Sequence, residues 1–163
     1  MRKVLSTLIL AFIASIAINS AAQIPSVSLK DINGNTVNTA TLSNDGKPFV
    51  ISFFATWCKP CLRELRSIAE VYEDWQDETG VKMILVSIDE AQNANKVKPL
   101  VNAEGWDFDV LLDVNSDLFH ALGLQSVPHV LVCDGDGNIV YSHSGYTDGS
   151  EEHIIEIVRN HCK

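Results

Sequence analysis

The sequence predicts an α/β domain of three layers, with a mixed sheet lying between helices. Three observations carry that reading. Nearly continuous apolar runs of strand length, at 48–55 and 81–88, alternate with segments whose apolar residues recur at helical spacing. The chain closes on two strands joined by a tight turn, followed by a last helix. Between the first apolar run and the first long helix stand two cysteines with two residues between them, Cys58 and Cys61.

The elements follow in order. Arg2-Lys3, the apolar stretch 4–18 and the small residues Asn19-Ser20-Ala21-Ala22 read as a secretory signal peptide, cleaved after Ala22. The stretch is short against the roughly 20 residues of a membrane span, which leaves an uncleaved N-terminal anchor as the alternative. Residues 23–163 then form one domain, expected as a monomer outside the cytosol or in a periplasm. Strand-like 27–30 and 36–38 flank Asn33-Gly34, a hairpin turn. The turn 44–48 leads into the strand that ends at Ala55. Leu62, Leu65, Ile68, Ala69, Tyr72 and Trp75 repeat at helical spacing over 62–76, and Gly80 stops that helix.

The run 81–88 has the composition of a strand covered on both faces. A weaker helix, 93–104, ends at Gly105 and contains Pro99, which predicts a kink or a shortening. Residues 108–112 form a short strand, and Asn115-Ser116-Asp117 cap a helix that Gly123 ends. The strands 127–133 and 138–142 are joined by Asp134-Gly135-Asp136-Gly137. Helix 151–160 is the last. The Asp134 turn imitates the start of a calcium loop, but Gly145 stands where a glutamate is needed.

Charge excludes some partners. The 12 basic and 21 acidic residues leave a net −9. Without the two leader cations the balance is more acidic still, which argues against nucleic acid and anionic membrane surfaces. The cysteines Cys58, Cys61, Cys133 and Cys162 are even in number, as two disulfides in an exported protein require.

The dithiol carries the chemistry. Cys58 falls at a helix N-terminus, where unpaired N–H groups and partial positive charge stabilise a thiolate. Lys59 adds a cation beside it, and Pro60 suits the first helical turn. Cys58 is thus expected as the attacking thiol and Cys61, one turn in, as the buried resolving thiol. A permanent disulfide and half of a zinc site are the competing readings; no second Cys-x-x-Cys exists for zinc. Glu64, one turn after Cys61, is expected to handle protons if it is buried. A solvated charge paired with Arg63 or Arg66 is its plain alternative. Trp57 is read as part of a docking surface or as a core aromatic. Strand and helix lengths bring Cys133 and Cys162 to one pole, which predicts a structural disulfide, or else two unpaired thiols.

At Phe53-Phe54-Ala55-Thr56-Trp57-Cys58-Lys59-Pro60-Cys61, at Val127-Pro128 and at the hairpin around Asn33-Gly34, the chain resembles the thioredoxin fold, in particular the exported TlpA/ResA-like thiol–disulfide oxidoreductases. The resemblance covers the whole domain. It implies an N-terminal hairpin extension, an inserted helix at 93–105 and a cis peptide bond before Pro128. It also implies a backbone at Val127 that receives an extended substrate, and a membrane-bound dithiol electron donor. Three positions depart from the pattern. Ser52 stands where thioredoxin has a buried aspartate, Glu64 matches a glutamate of the subfamily, and Arg66 replaces a helix-kinking proline. Ala55 occupies the place of the threonine that peroxidatic cysteines need. The expected activity is exchange with protein disulfides in the reducing direction, with no cofactor or metal beyond the Cys58–Cys61 pair. An oxidase or isomerase, and a redox-inert module binding peptides or a metal, are the alternatives.

Overall fold

A computed structural model describes residues 22–162, so the expected leader, Ala22 apart, lies outside the described residues. Along the chain run β1 (Ser28–Asp31), β2 (Thr36–Asn38), β3 (Phe49–Phe54), α1 (Lys59–Thr79), β4 (Lys82–Ser87), α2 (Val97–Glu104) and β5 (Asp109–Leu112). They are followed by α3 (Asp117–Ala121), β6 (His129–Cys133), β7 (Ile139–Ser144) and α4 (Ser150–Asn160). The strands make one sheet in the order β2-β1-β5-β4-β3-β6-β7. The centre, β3-β4-β5, is parallel, and β6, β7, β1 and β2 join it antiparallel. This is the expected mixed sheet, and the hairpin extends it at one edge.

Side-chain alternation along the strands divides the core. Val50 and Phe54 of β3 face the same side as Leu85, Val130 and Val132, and there pack with α1, α2 and α4. Phe49, Ile51 and Phe53 face the other side with Ile84, Val86 and Leu131, against α3. Phe53 meets Phe119 of α3 edge to face, with ring centroids 5.8 Å apart. Every residue of β3 is buried, as its unbroken apolar run requires.

The helix ends differ from expectation for identifiable reasons. α1 begins at Lys59 rather than 62, because the Cys58 side chain caps it. The shortening expected from Pro99 is seen: α2 begins at Val97 rather than 93, with a 3-10 turn at Ala94–Lys96 before it, and Pro99 is its third residue, where an N–H would have no intrahelical partner. α3 is capped from further upstream than Asn115-Ser116-Asp117. The buried Asp113 carboxylate accepts the N–H groups of Asp117 and Phe119 at 2.7 and 2.9 Å.

The expected Cys133–Cys162 disulfide is absent; both cysteines are free. Strand parity explains it. Cys133 shares its face of β6 with Leu131 and is buried on the α3 side. Helix α4 lies across Val130 and Val132 on the opposite face. Distances along the strand and helix allowed the bond, but the sheet stands between the sulfurs. Burial, assisted by Asp134, pushes the Cys133 thiol up to about 12. Cys162 is exposed, and its Sγ donates to the Val158 carbonyl. The oxidised protein, unfolded in denaturant without reductant, should therefore react with a thiol reagent at two cysteines per chain. A count of zero would restore the second disulfide.

Candidate active site

The site grows from the C-terminal end of β3. Ala55 turns the chain, and its carbonyl accepts the Cys58 N–H at 3.0 Å. Cys58 is the N-cap of α1, with φ −87° and ψ 94°, and its sulfur accepts the Cys61 N–H at 3.3 Å. Its carbonyl also takes the Leu62 N–H. Pro60 lies in the first turn, where it costs no hydrogen bond. Cys58 and Cys61 are joined by a disulfide. Cys61 is completely buried and Cys58 is 5% exposed. The first sulfur is the more open of the two, though more enclosed than its place at a helix end suggests.

The surroundings separate an open side from a closed one. Trp57 is 63% exposed, the one large apolar side chain so exposed among the described residues. That rules out the core-aromatic reading. Lys59 and Pro60 are exposed beside it. Strand β6 runs antiparallel to β3 with His129 opposite Phe53, so the Val127–Pro128 bond, which is cis, lies beside the end of β3 from which the dithiol springs. Pro128 is buried. Val127 is half-buried and packs against the cluster that contains both cysteines.

On the closed side, Glu64 is 1% exposed. It follows Cys61 by three positions, on the same helix face. The Ser52 hydroxyl, reaching from β3, donates to Glu64 Oε2 at 3.4 Å. Burial, opposed by that hydrogen bond and assisted by the charge of Glu151 on α4, pushes the Glu64 carboxyl up to about 7. Neither arginine offered by the plain reading is its partner. Arg66 makes a two-pronged ion pair with Glu104, and Arg63 lies over the Tyr146 ring, 5.8 Å from its centroid. Among the described residues no group of His, Cys, Asp or Glu could hold a metal ion, and no helix is long and apolar enough to cross a membrane.

One residue of the site escaped the sequence reading. Asp89, just past β4 and completely buried, accepts the Thr56 N–H at 2.8 Å, the Thr56 hydroxyl at 2.7 Å and the Ser87 hydroxyl at 2.8 Å. It ties the loop that carries Trp57 and Cys58 to the neighbouring strand end. The available signal was an acidic residue closing an apolar strand run next to the dithiol strand. Asp89→Ala strands three donors, that of Ser87 buried and the two of Thr56 half-buried, and should lower the denaturation free energy of the oxidised protein by roughly 3 kcal/mol. Asp89→Asn, which keeps an acceptor oxygen, should lose less. Denaturant titration of both variants checks this.

Comparison with known proteins gives a consistent setting. A family model described as the AhpC/TSA family matches residues 21–142. The thiol-disulfide oxidoreductase ResA of Bacillus thuringiensis (strain Al Hakam) is 32% identical over 116 residues, 71% of this chain and 64% of that protein. The ResA of Halalkalibacterium halodurans is 26% identical over 132 residues, 80% of this chain and 72% of that one. The chain thus spans about two thirds of the length of these relatives. The solution structure of a thioredoxin-like protein from Porphyromonas gingivalis is 58% identical, with TM-score 0.78, and covers 88% of this chain and 94% of its own. StoA from Bacillus subtilis, 22% identical, shares the fold with TM-score 0.64 over 82% of this chain and 96% of its own.

Proposed function

This chain belongs to the AhpC/TSA family and is a thioredoxin-fold thiol–disulfide oxidoreductase of the TlpA/ResA-like kind, and we propose that it works outside the cytosol as a reductant of protein disulfides. The observation that carries the reading is the sulfur of Cys58 at the N-cap of α1, accepting a backbone N–H. In the reduced protein that place stabilises a Cys58 thiolate.

The thiolate attacks one sulfur of a substrate disulfide. A Cys58–substrate bond forms, and the other substrate sulfur leaves as a thiolate. Cys61 then gives up its proton and attacks Cys58, closing the Cys58–Cys61 disulfide and releasing the second substrate thiolate. Two electrons pass from the protein dithiol to the substrate. A carboxyl whose pKa is about 7 is part ionised at neutral pH, so Glu64 takes the Cys61 proton as that thiol attacks. Trp57, Lys59, Pro60 and Val127 form the docking rim, with the Val127 backbone pairing to an extended substrate segment and Pro128 beside the dithiol.

The dithiol is the sole redox centre in this scheme, so a second dithiol protein, membrane-bound by likeness to the subfamily, restores it. Residues 1–22 serve as the export signal, and the mature protein acts as a monomer. Equilibration with thioredoxin or glutathione buffers tests the direction. A reduction potential near thioredoxin's, about −270 mV, supports a reductant. A value near about −120 mV makes the protein an oxidant and overturns the assignment.

A further inference from the structure

The first turns of α1 break a local rule. A helix N-terminus favours acidic side chains and disfavours cations. Here the first turn has no acidic residue, and Lys59 and Arg63 stand one turn apart on the same exposed stripe. The first exposed carboxylate along the helix is Glu70.

Most other cations of this acidic chain are engaged. Arg66, Lys82 and Arg159 are in ion pairs, and Lys30, Lys96 and Lys98 donate to side-chain oxygens. Lys59 makes no hydrogen bond or ion pair among the described residues, and Arg63 has no carboxylate, only the Tyr146 ring. Glu64, three residues after Cys61, and Asp89, which holds Thr56 of the dithiol loop, are buried and offer no charge to solvent. The exposed Glu90, after β4, is held by Gln92.

Resting on the proposed exchange at Cys58, we propose that the preferred partner is a protein whose reactive cysteine is flanked by acidic residues. Its carboxylates lie along Lys59 and Arg63 while an apolar neighbour covers Trp57. Local rules yield where function needs them to, and two unpaired cations beside a reactive sulfur are such a place. Lys59 alone would suffice to favour a thiolate. Arg63, a turn further from the cysteine and parked on an aromatic ring, extends the positive stripe to where residues beside a bound cysteine would run.

The test measures the rate at which the reduced protein attacks three peptides of one design. Each carries a single cysteine capped as a mixed disulfide with 2-mercaptoethanol; the flanks are two aspartates, two lysines or two serines on each side. The acidic peptide should react about tenfold faster than the basic one in low salt, with the ratio falling towards unity near 0.5 M salt. The double variant Lys59→Glu with Arg63→Glu should invert the ratio. Comparing peptides within one variant cancels any change in Cys58 reactivity, so thiolate stabilisation alone cannot produce an inversion. Equal rates for acidic and basic peptides, or a ratio the double variant leaves unchanged, would overturn the inference while exchange itself stands. No reaction with the serine peptide would instead remove the exchange reading beneath it.

Discussion

Cys58→Ser should abolish disulfide exchange, while Cys61→Ser should stop it one step later. The two sulfurs differ in place, and the difference dictates the outcomes. Cys58 caps α1 and is the more open; Cys61 is sealed beneath it. Without Cys58 no covalent intermediate forms, and turnover should fall to background. Without Cys61 the first attack proceeds, but nothing displaces the captured partner. A covalent complex then accumulates, visible by mass spectrometry or a non-reducing gel and dispersed by dithiothreitol. A Cys61→Ser variant that turned over freely, or a Cys58→Ser variant that trapped partners, would reverse the assigned roles. Because both side chains lie in the core cluster around α1, each variant should first be shown folded by its near-ultraviolet circular dichroism.

Glu64→Gln should change both the resolving step and the pH dependence of stability. The folded carboxyl titrates at about 7 against an ordinary value of 4.5, because burial disfavours its charge and Glu151 repels it. The folded state therefore binds this proton more tightly than the unfolded state. The stabilisation that results is complete below about pH 4.5 and is lost as pH rises through 7. The span corresponds to roughly 3 kcal/mol. Oxidised wild-type protein should lose stability over that window. The glutamine variant, with nothing to titrate at this place, should lack that component and gain on wild type as pH rises. Denaturant melts of both proteins at pH 4.5, 6 and 8 measure it. A parallel pH course for the two would show that Glu64 is ionised at its ordinary value. Kinetically, glutamine accepts no proton from Cys61. The mixed disulfide should then resolve roughly a hundredfold more slowly at neutral pH, with the first attack little changed.

Both predictions concern residues that stand out in the sequence, though not to the same depth. The strands and helices follow from apolar periodicity because each element buries a face that its own spacing announces. The run of β3 and the stripe Leu65, Ile68, Trp75 of α1 are instances. The dithiol's placement follows from the same logic, since a strand end and a helix start leave little choice for Cys58. Glu64 is harder. Its position beside Leu65 suggests an inward face, but only the fold brings Ser52 under it and commits Arg63 and Arg66 elsewhere.

Two of the differences share a cause, a relation between elements that are distant in the chain. Lengths alone pair Cys133 with Cys162, because they place residues along an axis. The side of the sheet is set by parity, and Cys133 goes with Leu131 towards α3. Asp89 is not legible in the sequence because the partner that gives it a place in the site, Thr56, lies 33 residues away on the adjacent strand-to-helix loop. Asp113 caps α3 from four and six residues upstream, outside the window in which a cap is ordinarily sought.

The most direct test is to titrate Cys58 in the reduced protein, following thiolate absorbance near 240 nm or the pH dependence of its alkylation, with Cys133 and Cys162 replaced by serine. The account predicts a Cys58 pKa well below the ordinary value of about 8.5, in the range of roughly 3.5 to 7.5 found for thiols at helix N-termini. A value at or above about 8.5 would contradict it, because the place of Cys58 at the start of α1 would then confer no reactivity.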